Sequence, residues 1–184
     1  MTAQADNLLW PLNVFYERDR ILPEVTPLTE QQVPSPYREL LVHEDDMTPT
    51  LEHHYEDTIH IERLNHLAED AVSSREVILR LDGNDRAVVY GASRVFLDQL
   101  HEHARELLAE GRLPVGTILR ICEIAHRSQP TGFFRVKPMP LFEEVFKQAC
   151  NDSLFGRRNT LLSAAGDPIV EVTEILPPDV GPES

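Results

Sequence analysis

Two ionisable side chains of this sequence sit on strand faces that are otherwise apolar. Arg75 opens the alternating run Arg75-Glu76-Val77-Ile78-Leu79-Arg80-Leu81 and shares a face with Val77, Leu79 and Leu81. Glu174 follows Val170 and Val172 at period two in Val170-Glu171-Val172-Thr173-Glu174-Ile175, so it points where those valines point. A guanidinium turned inward offers a carboxylate two parallel donors, in charge-assisted bonds worth about 1.5–3 kcal/mol each. A carboxyl turned inward has its pKa raised by desolvation, which suits an acid that protonates a leaving group or holds a hydroxyl. The plainer reading of each is a surface or edge position. Arg157 and Arg158 are neighbours that offer further positive charge, although such a pair is usually solvated. His53, His54, His60 and His66, with Glu52 and Glu56, match no metal-ligand spacing and read as charged surface. His101 and His103 fall on a solvated helix, and Cys122 and Cys150, with no second Cys/His pair, read as small core residues.

The elements that must position Arg75 and Glu174 are two hairpins. Asp82-Gly83 turns the Arg75 strand into the return segment 86–96, where Gly91 marks a bulge or a close approach of backbone. Residues 159–163 and 169–175 form the second hairpin, closed by Ala165-Gly166-Asp167. Residues 8–16, broken by Pro11, and the turn-rich stretch 23–36 read as an arm laid on the domain. Residues 37–55 read as helical with a stop near Pro49, 60–64 as a weak strand, 98–111 as a helix ended by Gly111, and 141–149 as a helix. Residues 126–140, rich in turn formers and carrying Phe133-Phe134, read as a mobile crossing segment. Strands and helices segregate, which predicts an α+β fold: an antiparallel sheet with helices on one face. The expected organisation is an arm at 1–36, one domain at 37–178 and a flexible tail at 179–184.

Composition limits the function. At 184 residues with 41% hydrophobic and 26% charged residues, the chain supports one compact core. A net charge of −14 repels a phosphate backbone, so nucleic acid is not an expected partner. A small anion is still admissible, because it responds to a few arginines in a low-dielectric pocket and not to the surface sum. No long apolar run or basic leader occurs, so no membrane partner and a cytoplasmic location are expected.

Five segments in order carry a resemblance: L-L-x-H-E-D-D-M-T at 40–48, R-E-V-I-L-x-x-D-G at 75–83, P-V-G at 114–116, L-F-G-R-R-N at 154–159 and G-D-P-I-V-E-V-T-E-x-L-P at 166–177. Together they resemble bacterial chorismate lyase over residues 37–178. The resemblance implies a monomeric, cofactor-free and metal-free carbon–oxygen lyase that converts chorismate to 4-hydroxybenzoate and pyruvate, with a place in ubiquinone biosynthesis. It assigns the ligand carboxylate to Arg75, with backbone donors at Met47 and Val115. It gives Glu174 the ligand hydroxyl and, with Arg75, the catalytic role; Arg158 is a further binding candidate. Flaps over the ligand are implied, and 126–140 or 40–50 is the expected lid. One departure is plain: the family's Gly-Arg on the second hairpin strand is Gly91-Ala92 here, with Arg94 two positions on. The alternative is a non-catalytic domain of the same fold that senses a small aromatic acid, as in GntR-type regulators. The absence of a helix-turn-helix signal in the arm and the presence of both Arg75 and Glu174 tip the expectation to the enzyme, with an aromatic or enolpyruvyl carboxylic acid as ligand.

Overall fold

A computed structural model describes residues 7–16 and 21–181. Seven strands form one antiparallel sheet: β1 (Val25–Leu28), β2 (Ile59–Glu69), β3 (Val72–Leu81), β4 (Ala87–Phe96), β5 (His126–Val136), β6 (Leu154–Ser163) and β7 (Pro168–Ile175), in the order β1-β5-β6-β7-β4-β3-β2. The α+β antiparallel class is as the sequence predicts, and both hairpins stand where their turn residues place them.

The helices α1 (Tyr37–Leu41), α2 (Met47–Tyr55), α3 (Glu102–Glu110) and α4 (Val115–Ile121) lie over one face. There Leu79 and Val89 pack with Leu41, Met47 and Leu51, and Val95, Val170 and Val172 pack with Ala104, Leu108 and Ile118. The other face is covered as well. Tyr90, Ala92 and Phe134 pack there against helix α5 (Pro140–Phe146) and the turn of 3-10 helix Leu12–Tyr16. Because both faces are covered, every residue of β3 is buried, which is why its alternation of side-chain type is not an alternation of exposure.

Three expectations change. Pro49 does not stop a helix; it sits in the first turn of α2, where its missing N–H would have no intrahelical acceptor. Residues 126–136 are not a mobile crossing segment but the strand β5, paired with β1 on one side and β6 on the other. Its adjacent phenylalanines enter opposite faces, Phe134 with Tyr90 and Phe133 with Leu79. The stretch read as an arm contributes β1 to the sheet and the fully buried Leu9 and Leu12 to the core. Thr173 Oγ1 donates to the Trp10 carbonyl at 2.6 Å, which fixes that segment to β7. Parts of the proposed arm and tail, residues 1–6, 17–20 and 182–184, lie outside the described residues, whereas Val180 is buried.

Gly91 is a close approach. A Cβ built there would stand 2.0 Å from the Thr173 carbonyl oxygen of β7. Since the obstacle is backbone, Gly91→Ala should destabilise the protein by about 2 kcal/mol or more, in the range of forced backbone shifts. Urea denaturation measures this, and a variant of unchanged stability would show that β4 and β7 can separate without cost.

Candidate functional site

Register places the site. Across the sheet Arg75 of β3 pairs with Ser93 of β4, Ser93 with Val172 of β7, and Val172 with Asn159 of β6. The next row on the same face is Val77, Gly91, Glu174 and Arg157. All of these but Arg157 floor a pocket whose walls are Asp46, Met47 and Thr48 at the start of α2 and Pro114, Val115 and Gly116 at the start of α4. Its apolar lining includes Ile61, Leu79, Val89 and Leu161. The cavity volume is about 60 Å³, several times the roughly 10–15 Å³ that one water needs.

Of the residues predicted from sequence, Arg75, Glu174, Met47 and Val115 come together here. Arg75 is 1% exposed, and among the described residues no carboxylate pairs with it. Its one hydrogen bond is a long 3.4 Å donation from Nη1 to the Leu113 carbonyl, and its Nε has no acceptor. Burial, with Arg63 nearby as a like charge, pulls the guanidinium down to about 10, so it remains cationic at neutral pH. Arg75 is the one base among the described lining residues. Met47 and Val115 are the first residues of their helices, and first-turn N–H groups there have no intrahelical acceptor. Two helix starts and a buried guanidinium direct donors at the cavity, and the two carboxylates of its lining, Asp46 and Glu174, each have a basic partner of their own.

Glu174 has a different partner from the one expected of a free acid. Its Oε2 accepts from Arg157 Nε at 2.7 Å, and Arg157 is 0% exposed. Arg157 also donates to the carbonyls of Leu41, His43 and Asp45. His43 completes the cluster: its Nε2 lies 2.8 Å from the Leu40 carbonyl, while its Nδ1 faces the Asp45 N–H and Arg157 Nη1. That ring has an N–H at Nε2 and an acceptor at Nδ1, and burial followed by the Arg157 charge pulls its pKa below the ordinary histidine value.

Arg158 does not belong to the site. It alternates to the opposite face, where it pairs with Glu171 at 3.2 Å and donates to Asn7. Arg157 is the member of that pair on the pocket side of the sheet, a face it shares at period two with Asn159 and Leu161. Arg94 does not replace the family's second arginine. It too faces away, its guanidinium 5.0 Å from the Trp10 ring, and Ser93 takes the pocket position. Segment 126–140 cannot be a lid, since most of it is β5. The histidines do not assemble with acids; among the described residues no cluster of three or more His, Cys, Asp or Glu is placed to hold a metal. No helix among the described residues is long and apolar enough to cross a membrane.

Comparison with known proteins follows the fold. No protein-family profile and no curated protein sequence matches the chain. Solved structures do. PhnF from Mycobacterium smegmatis matches with a TM-score of 0.57 at 12% identity, over 76% of this chain and 67% of that one. The effector domain of the same PhnF matches at 0.57 and 13%, over 73% and 89%. The possible transcriptional regulator YydK from Bacillus subtilis matches at 0.50 and 7%, over 71% and 62%. At such identities the likeness is one of fold: a seven-stranded antiparallel α+β domain shared with an effector domain.

This corrects the expectation of a carbon–oxygen lyase, and with it the link to ubiquinone biosynthesis. The matched structures named above are an effector domain and a possible transcriptional regulator, not lyases. The site agrees, because the carboxyl that was to deliver a proton is already ion-paired with a buried guanidinium.

Two predictions follow from this geometry. Arg157→Met strands Glu174 and breaks the hold on three carbonyls, so it should cost about 3 kcal/mol or more in urea denaturation, whereas Arg158→Met should cost about 1 kcal/mol; equal costs would refute the distinction. The second concerns His126, whose Nε2 lies 2.9 Å from Asp46 Oδ2 and whose Nδ1 lies 2.8 Å from the Ile124 carbonyl. Both neighbours are acceptors, so the doubly protonated ring is favoured, and the Asp46 hydrogen bond raises the His126 pKa. The resulting stabilisation is complete below the ordinary value of about 6.5 and is lost as pH rises through the raised folded-state value. Proton NMR titration of the ring and urea melts across that window should show both effects, and His126→Gln should remove the slope. A folded-state pKa at or below the ordinary value would contradict the assignment.

Proposed function

We propose that this chain is a non-catalytic ligand-binding domain, an effector-sensing module that takes one small aromatic carboxylic acid into the pocket under α2 and α4. The observation that carries the reading is Arg75: a fully buried cation, without a carboxylate partner among the described residues, in the wall of an apolar cavity. A buried charge left without a partner is costly, and an anionic ligand is the ordinary way to offset it. The first-turn N–H groups at Met47 and Val115 add donors of the same polarity. Ile61, Val77, Leu79, Val89, Leu161 and Val172 supply an apolar surface suited to a flat hydrocarbon body. The effector domain among the solved structures of this fold supports a sensing role over chemistry.

Calorimetry with 4-hydroxybenzoate tests the reading. Wild type should bind, and Arg75→Gln should lose at least about ten-fold in affinity, the share of a charge-assisted fork. Incubation with chorismate should release no pyruvate above the uncatalysed background. Equal affinity of wild type and Arg75→Gln would remove Arg75 as the anchor.

A further inference from the structure

A second pocket residue is left with an unmet hydrogen-bonding group. Asn159 is 1% exposed, lines the pocket, and its Oδ1 has no partner. The orientation of its amide is set from behind. Its Nδ2 donates to Ser128 Oγ at 2.8 Å, and Ser128 Oγ passes its own hydrogen to the Asp45 carbonyl at 3.3 Å. Ser128 therefore acts as acceptor toward Asn159, so the amide nitrogen faces Ser128 and the amide oxygen is the atom left over. A buried acceptor without a donor costs about 1–3 kcal/mol, and natural sites rarely leave one without a use.

Asn159 and Arg75 lie in the same row of the sheet, separated by β7 and β4. With strands about 4.8 Å apart, their backbones are roughly 14 Å from each other. Side chains of one row stand on the same face, roughly perpendicular to the sheet, so a single ring with a group at each end, together with its two hydrogen bonds, is on the order of that interval. Between them the floor is low, with Ser93 and Val172 in the row and Gly91 beside it.

The charges of the pocket narrow the ligand further. Asp46 is occupied by His126 and Glu174 by Arg157, so Arg75 is the one lining cation not matched by a carboxylate among the described residues. One negative charge balances it. A second carboxylate at the far end would meet the Glu174 carboxylate and the Asn159 oxygen, both acceptors. This argues against a dicarboxylate such as an enolpyruvyl acid.

We infer that Asn159 is the specificity-determining residue of the pocket, and that its amide oxygen accepts a hydrogen bond from a hydroxyl or amino group of a monocarboxylic aromatic acid whose carboxylate is on Arg75. The inference rests on the binding function proposed above and adds the class of ligand. A pocket that presents a buried acceptor selects strongly, because a ligand without a donor leaves that acceptor unpaired.

The test is a calorimetric series on the full chain with 3- and 4-hydroxybenzoate, 3- and 4-aminobenzoate, the fluorobenzoates of the same positions, and terephthalate. Fluorine is close in size to a hydroxyl and donates no hydrogen bond. For at least one ring position the donor-bearing acid should bind at least about ten-fold tighter than its fluoro counterpart, and terephthalate should bind weaker than both. Asn159→Leu should shrink the ratio to about two-fold or less. Asn159→Asp, which keeps an oxygen in place, should retain the preference. Equal wild-type affinities for hydroxy-, amino- and fluoro-acids overturn the inference, and they do so without any variant having to fold. A ratio that survives in a folded Asn159→Leu protein overturns it too. In either of those cases, if the fluorobenzoates bind and Arg75→Gln weakens them, the pocket reading stands and only the role of Asn159 falls; if none of these acids binds, both fall.

Discussion

The buried guanidinium of Arg157 organises this end of the molecule. It has no contact with solvent, so every donor it carries must find an acceptor inside the protein. Glu174 on the neighbouring strand supplies the charge, and the carbonyls of Leu41, His43 and Asp45 supply the rest. The loop between α1 and α2 is therefore tied to the sheet through its backbone carbonyls, and the side chains of His43 and Asp46 add contacts to Arg157 and His126. A planar fork with several fixed donors can do this; a lysine ammonium could not span the same set. Because that loop ends at Asp46 and Met47, the clamp also sets where α2 begins, and so where one wall of the pocket stands.

The two buried arginines of the site are spent differently. Arg157 is compensated by the protein itself, whereas Arg75, equally buried, has a single long bond to a carbonyl. The first makes the pocket rigid and the second makes it receptive. Pre-organisation of this kind favours binding, since the cost of arranging the cation was met on folding. It gives no leaving-group chemistry an obvious proton donor, because Glu174 is committed to the clamp. Among the described residues that line the pocket, the buried side-chain polar atoms that remain unmatched, Arg75 Nε and Asn159 Oδ1, are a donor and an acceptor in one row of the sheet.

Much of this arrangement could be read along the chain. Period-two alternation oriented Arg75 with Val77 and Leu79, and Glu174 with Val170 and Val172, and Gly91 marked a close approach that β7 indeed makes. Other features misled for physical reasons. Pro49 breaks a helix interior but is well tolerated in a first turn, and nothing local tells which it will meet. Pro130 and Gly132 made β5 look like a loop, yet they sit at the irregularity in its pairing with β6, where such residues are accommodated. In Arg157-Arg158 the period of two is legible, but which of the two faces the pocket depends on the register of β6 with β7.

What the sequence by itself determined were local properties and sums: the two hairpins, the antiparallel α+β class, the faces on which Arg75 and Glu174 project, and an acidic net charge. These depend on periodicity, turn chemistry and net charge, all of which act over a few residues or over the sum of them. Only the tertiary structure decided which charges were already neutralised. Arg157 and Glu174 are 17 residues apart, and Ser128 and Asn159 are 31; Arg75 and Asn159 share a row only because β4 and β7 lie between their strands. Whether a buried arginine serves the fold or awaits a ligand depends on which acceptors the chain brings to it from a distance, and no local pattern in the sequence records that.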